Sequence, residues 1–206
     1  CIETGAGFYE SFENQCNTAC EKIENLKDIE SEVHLIGLSQ GGLIARYVIE
    51  NCKLTVRFLS LISVGGPQFG VSKFPHCNKK SLFCEMINKI TDNDVYNSNI
   101  QKTIGPAGYF RTNKNINLYK SKSSVLSPLN NERDYSSDRK SLFTSLNHLV
   151  LIMFEKDTMI IPKETAWFGY FDEHGETRKY NESEVYLDDT IGLKELDKNE
   201  KVIFSS

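Results

Sequence analysis

The stretch His34-Leu35-Ile36-Gly37-Leu38-Ser39-Gln40-Gly41-Gly42-Leu43-Ile44-Ala45-Arg46-Tyr47 reads as strand, tight turn, helix. Val33 to Ile36 is a short, mostly apolar run suited to a buried strand. Leu43, Ile44, Tyr47 and Val48 then recur at helical spacing. Between them Gly37-Leu38-Ser39-Gln40-Gly41 has the G-x-S-x-G form of a nucleophile elbow. Three matching positions alone are a weak signal, and the strand before and helix after supply the context it needs. In such a turn the serine backbone is strained and its neighbours pass closely, which is why glycines flank it. An incidental serine in a Gly-rich turn is the plain alternative.

Outward from the elbow, Phe8 to Leu26 places Phe8, Phe12, Cys16, Ala19, Cys20, Ile23 and Leu26 on one face, predicting an amphipathic helix. Phe58 to Val64 is the next strand, closed by Gly65-Gly66-Pro67. The resulting strand–helix–strand unit predicts a parallel sheet, hence an α/β fold of the α/β-hydrolase kind with helices on both faces. The following sheet strand is Leu149 to Phe154, and Lys201 to Phe204 is the last. About eighty residues separate the strands at 58–64 and 149–154, too many for a plain crossover. The chain therefore divides into a hydrolase core with the elbow at 1–66, an inserted cap at 67–148, and a second core portion at 149–206. The cap shows helical pieces at Leu82–Ile90 and Arg139–Leu146, and polar, loop-like stretches at Thr112–Asn117 and Ser121–Ser127. Trp167 reads as a core tryptophan.

Bulk properties exclude several classes. The 206 residues are 39% hydrophobic and 25% charged, with net charge −4 and no Lys/Arg run, so no nucleic-acid footprint is present. No apolar stretch approaches the ~18 residues of a transmembrane segment. The six cysteines, Cys1, Cys16, Cys20, Cys52, Cys77 and Cys84, form no C-x-x-C pair, so no metal site is expected. Cys77 and Cys84 flank a segment that a disulfide could close. With the Asn181-Glu182-Ser183 glycosylation sequon, they favour an oxidising compartment on a secretory route.

A serine hydroxyl needs a histidine to take its proton and an acid to orient that histidine. In α/β-hydrolases these follow the order serine, acid, histidine. Asp157 lies three residues beyond the strand ending at Phe154 and suits the acid; Glu155 sits too close to the strand, and Glu164 lies beyond Pro162. Only His174 follows Asp157, in a polar Asp172–Glu176 turn that suits solvent better than catalysis. The Gln40 amide is the expected oxyanion donor, and a second donor belongs to a loop near the first strands. The expectation is therefore a catalytic histidine beyond Ser206 and an oxyanion loop before Cys1, with residues 1–206 alone inactive.

With these residues in place, the chain resembles the lysosomal palmitoyl-protein thioesterases from about Cys1 to Phe204. The resemblance is carried by Gly37–Gly42, by Leu61-Ile62-Ser63-Val64-Gly65-Gly66-Pro67-Gln68-Phe69-Gly70, by Trp167-Phe168-Gly169, by Gly192-Leu193-Lys194-Glu195-Leu196-Asp197 and by Asn130-Asn131-Glu132. It implies Ser39 as nucleophile, Asp157 as triad acid, disulfides Cys20–Cys52 and Cys77–Cys84, and an acyl groove near Gln40, Gln68, Met159 and Ile160. It implies S-acylated proteins and acyl thioesters as substrates, and no cofactor. Lys156, Pro67 and Phe69 depart from the family pattern and bear on acyl-chain preference. A lipase or oxygen-ester esterase uses the same triad, and a non-catalytic binding module on the same fold is the reading from another class.

Overall fold

The computed structural model describes residues 7–27, 30–74 and 90–206. Its elements in chain order are α1 (Phe12–Glu24), β1 (Glu32–Leu38), α2 (Gln40–Asn51), β2 (Arg57–Val64), α3 (Ser98–Thr103), α4 (Ile116–Lys122), α5 (Leu126–Leu129), α6 (Ser137–Thr144), β3 (His148–Ile152), β4 (Tyr170–Phe171), β5 (Thr177–Arg178), α7 (Glu184–Leu187), α8 (Leu193–Lys198) and β6 (Val202–Ser205). Strands β1, β2, β3 and β6 pair in that order, all parallel, as the alternation of strand and helix predicts. The short β4–β5 hairpin is antiparallel and separate.

Register puts two rows across one face, Leu35–Leu61–Leu149–Val202 and Gly37–Ser63–Leu151–Phe204. These side chains join a core with Leu43, Val48, Ile49 and Phe58. Helix α2 packs on β1 and β2, with α1 against α2. Ile36, Leu38 and Ile203 point to the opposite face and are 71%, 66% and 46% exposed. Among the described residues, that second face has no helix burying it.

Helix α1 starts four residues later than the apolar spacing predicts, because Ser11 caps it: its Oγ accepts from the Asn14 amide at 3.1 Å. Residues Gly7–Tyr9 form a separate 3-10 turn. Phe12, Cys16, Ala19 and Ile23 are buried as the pattern requires. Cys20, one turn before its end, is disulfide-bonded to Cys52, just past the end of α2, over a separation of 32 residues. The two helices flanking the elbow strand are thus tied together. Cys16 is a buried free thiol, raised well above its usual pKa by burial.

The segment between β2 and β3 departs from its sequence reading in one place. Residues 112–117 and 121–127 look loop-like, yet Ile116–Lys122 and Leu126–Leu129 are helical. Asn115 accepts from the Leu118 amide at 3.0 Å, and Tyr119 is buried in the core, so capping and burial outweigh a polar composition. The helix read at Arg139–Leu146 runs Ser137–Thr144. Cys1, His76, Cys77, Cys84 and positions 82–89 lie outside the described residues.

A charged pair sits inside this core. Arg46 and Glu50, one turn apart on α2, are both buried, with Nε to Oε1 at 2.7 Å. Burial pushes the Glu50 carboxyl up to about 7, while Arg46 pulls it the other way. Between pH 4.5 and 7 the folded state then holds more protons than the unfolded chain, so this residue's contribution falls as pH rises. Thermal melts of wild type and Glu50→Gln across that range should show the wild type losing stability relative to the variant with rising pH. The ceiling is about 1.4 kcal/mol per pH unit. A constant difference across the range counts against the linkage.

Candidate active site

Ser39 follows β1 directly, with φ 52° and ψ −127°, a region that non-glycine residues rarely occupy. The strain is held from both sides. The Ser39 amide donates to the Val64 carbonyl at 2.8 Å, and the Ser39 carbonyl accepts from the Gly42 amide at 2.9 Å. Although Ser39 occupies the N-cap position of α2, its side chain does not cap the helix. Its Oγ makes no hydrogen bond among the described residues, and the residue is exposed at the carboxyl edge of the sheet.

The glycines earn their places unequally. A Cβ on Gly37 would lie 2.3 Å from the Gly41 carbonyl oxygen, and one on Gly66 would lie 2.3 Å from Ser63 Oγ and 3.2 Å from the Ser39 carbonyl oxygen. Gly41, the last position of the motif, has nothing within 4 Å of a built Cβ. Steric need therefore resides in Gly37, in Gly42, whose Cβ would lie 2.4 Å from Ser63 Oγ, and in Gly66, the last brought in by the strand exit of β2.

Gln40 opens α2, where the first amides have no intrahelical acceptor and the helix dipole adds a partial positive charge. That is the expected place for an oxyanion donor. Its side chain is clamped: Nε2 donates to Gln15 Oε1 at 2.6 Å, and Oε1 accepts from the Tyr109 hydroxyl at 3.0 Å. Gln15 in turn donates to the Gly7 and Glu10 carbonyls. Sequence spacing alone does not reveal this relay, because its members are 25 and 69 residues from Gln40. Tyr109→Phe removes one link and is expected to cost about 1 kcal/mol in a urea unfolding titration. No measurable change would show the link to be idle.

Asp157 lies five residues past β3, partly buried. Its Oδ1 accepts from the Met159 amide at 2.7 Å and the Ile160 amide at 3.1 Å. These bonds set the carboxylate in place and leave Oδ2 uncommitted among the described residues. Met159 is exposed and Ile160 packs on the core. Gln68 is fully buried, donating from Nε2 to Ser63 Oγ at 2.9 Å, with Oε1 enclosed and without a partner. It sits under the elbow rather than on an open wall.

The described histidines are placed away from this edge. His34 is near the start of β1, His148 opens β3, and His174 occupies the exposed β4–β5 turn with its side chain 76% exposed. None bonds to Ser39 or Asp157. Trp167 is partly buried, donating from Nε1 to the Leu151 carbonyl at 2.9 Å and packing edge-on against Phe204. Asn181 is exposed in a 3-10 turn. Among the described residues there is no cluster of three metal-ligating side chains and no helix long and apolar enough to cross a membrane.

Arg46 is the residue that motif reading misses. Its guanidinium bonds to Glu50, to the Gln68 carbonyl, to Asn130 Oδ1 and to the Leu129 carbonyl, and it stacks near Phe143 and Phe168. It fastens the elbow helix to the β2 exit and to α5. The available signal was Asn130-Asn131-Glu132, which supplies one of its acceptors.

Comparison with known proteins places this arrangement. The family described as Palmitoyl protein thioesterase matches residues 2–206. Palmitoyl-protein thioesterase 1 of Caenorhabditis elegans is 32% identical over 200 residues, covering 96% of this chain and 67% of the relative. The lysosomal thioesterase PPT2 homolog of Drosophila melanogaster is 30% identical, covering 96% and 69%. Lysosomal thioesterase PPT2-B of Xenopus laevis is 34% identical over 169 residues, covering 80% of this chain and 57% of the relative. With a family match over nearly every residue and a parallel sheet carrying a strained serine at its carboxyl edge, the chain belongs to the palmitoyl protein thioesterase family of α/β-hydrolases.

Proposed function

We propose that Ser39 is the nucleophile of a thioesterase that removes long-chain acyl groups from S-acylated cysteines. The observation that carries this is the Ser39 backbone at φ 52°, ψ −127°, with its hydroxyl uncommitted at the strand-to-helix turn. Such strain persists where surrounding structure over-determines it, and at this turn it presents a hydroxyl to substrate. Ser39 Oγ attacks the thioester carbonyl, and the Gln40 amide receives the developing oxyanion. Collapse of the tetrahedral intermediate breaks the C–S bond, releasing the cysteine thiol and leaving the acyl group on Ser39. A histidine oriented by Asp157 takes the serine proton, gives it to the leaving sulfur, and then activates the water that frees the fatty acid.

Met159 and Ile160, next to Asp157, are the proposed start of the acyl groove, and the segment 67–148 is the proposed cap over it. No cofactor enters these steps. A lysosomal working place fits the names of the relatives, the Cys20–Cys52 disulfide, the exposed Asn181 sequon and a buried Glu50 that favours the fold at acid pH.

The test uses the full-length protein with matched palmitoyl thioester and oxygen-ester substrates, and a fluorophosphonate serine probe on that same protein. The expected result is faster thioester turnover and probe attachment at Ser39. Preferential oxygen-ester hydrolysis would move the assignment to an esterase. Absence of turnover together with absence of labelling would leave a binding module.

A further inference from the structure

A second cavity lies between the β4–β5 hairpin and the segment before α4, with a volume of about 460 Å³. That is the size of small-ligand sites. Its wall includes Phe69, Arg111 and Tyr170. The Arg111 guanidinium lies 4.6 Å from the Phe69 ring centroid and 5.0 Å from that of Tyr170. The residue is only 8% exposed, and its Nε is enclosed with no hydrogen-bond partner. No hydrogen bond or ion pair reaches any part of its guanidinium among the described residues.

The backbone holds this cation firmly. The Arg111 amide donates to the Val71 carbonyl at 2.8 Å, and its carbonyl accepts from Ser72 Oγ at 2.8 Å. Gly70, at φ +86°, lets the strand exit pass so close that a Cβ there would lie 3.1 Å from Arg111 Cβ. Phe69 and Arg111 are thereby brought together from two separate chain segments.

Five carboxylates line the cavity: the exposed Glu173 lies 3.6 Å from His174 Nε2, and the other four are engaged. Glu132 accepts from the Tyr119 hydroxyl and Asn130, and Glu184 pairs with Lys120 at 2.6 Å. Asp172 pairs with Arg178 at 2.7 Å, and Glu182 accepts from the Lys179 amide. The other lining cation, Lys114, pairs with Asp92. Arg111 alone among these charges has its donors uncommitted. A buried guanidinium without acceptors is costly, so the site is built to receive one.

We propose that this cavity recognises a peptide carboxylate, with Arg111 as the anion receptor and the aromatic faces of Phe69 and Tyr170 holding the guanidinium plane. A planar monoanion suits the fork of a guanidinium. Five carboxylates and two cations line the cavity, so its field opposes any anion, and a compact dianion about twice as strongly as a monoanion that pairs directly with the guanidinium. The inference rests on the thioesterase reading for its purpose: the protein portion of an S-acylated substrate would dock here through an acidic side chain or a carboxyl terminus. Phe69 is three residues from Gly66, which packs on the Ser39 carbonyl, so the two sites share one strand exit.

The test is calorimetric titration of the purified protein with three short acetylated peptides. One carries a single aspartate and an amidated end, one a free carboxyl terminus, and one neither. At least one acidic peptide is expected to bind about tenfold or more tightly than the neutral one. Arg111→Gln should erase that difference and Arg111→Lys should retain part of it. Which acidic peptide binds distinguishes side chain from terminus. Equal binding of the neutral peptide, no binding of any peptide, or tighter binding of inorganic phosphate overturns the proposal. Should Arg111→Gln fail to fold, the acidic-against-neutral comparison on the unaltered protein still decides. Full-length protein that binds the acidic peptide but hydrolyses no thioester would keep this site and lose the thioesterase reading.

Discussion

Ser39→Ala is expected to lower thioester hydrolysis by about 10⁴-fold or more while leaving the protein folded. The estimate follows from what removal of the nucleophile does in serine hydrolases, where the residual rate comes from oxyanion stabilisation and binding alone. Alanine loses only Oγ, and that atom makes no hydrogen bond among the described residues. The backbone bonds to Val64 and Gly42 that hold the strained turn do not involve the side chain. Denaturation midpoints of the two proteins should therefore agree closely, and the loss should appear in kcat. Steady-state assays with a palmitoyl thioester, alongside labelling by the serine probe, provide the measurement. A variant retaining a tenth of the activity would remove Ser39 from the mechanism.

Arg46→Met should be the most destabilising single change among the described residues treated above, at about 3–5 kcal/mol. Four bonds vanish together, of 2.7 Å to Glu50 and 3.0 Å each to the Gln68 carbonyl, Asn130 Oδ1 and the Leu129 carbonyl. Methionine keeps part of the volume but leaves Glu50 buried without its counter-charge and three acceptors unmade. Against a typical stability of about 5–15 kcal/mol, the loss is large enough to deplete folded protein. The double change Arg46→Met with Glu50→Leu should recover part of it, since replacing both members of a buried pair by apolar groups is far milder than orphaning one. Urea unfolding of the three proteins tests both statements. A single-variant loss below about 1 kcal/mol would mean that water reaches the pair and that the core around α2 is looser than its contacts indicate.

Much of the architecture is legible in the residues because it depends on short-range pattern. The short apolar run before Ser39 and the helical spacing after it place β1 and α2 on either side of the elbow. Parallel pairing follows from strand–helix–strand connectivity, and the later strands at 148–152 and 202–205 lie within a few residues of where apolar runs put them. Asp157 is readable for the same reason, as an acid just past a strand end. Helix ends are less so, since Ser11 and Asn115 cap helices through single side-chain bonds that periodicity does not register.

What only the tertiary structure decides is which polar residues are buried, and against what. Arg46 carries no motif of its own, yet it is buried, and two of its acceptors come from residues 83 and 84 positions away. Gln68, which the resemblance puts near the acyl groove, is fully buried and donates to Ser63. The motif's own last glycine, Gly41, has open space, while Gly66 from beyond another strand shares the steric requirement with Gly37 and Gly42. Arg111 and Phe69 meet only because Val71 and Phe110 bridge two distant segments. Local sequence sets dihedral preference and apolar period within about a turn or a strand. The desolvation that makes a guanidinium a core anchor at 46 and an uncommitted donor at 111 arises from chain brought in from far away. No local period encodes it.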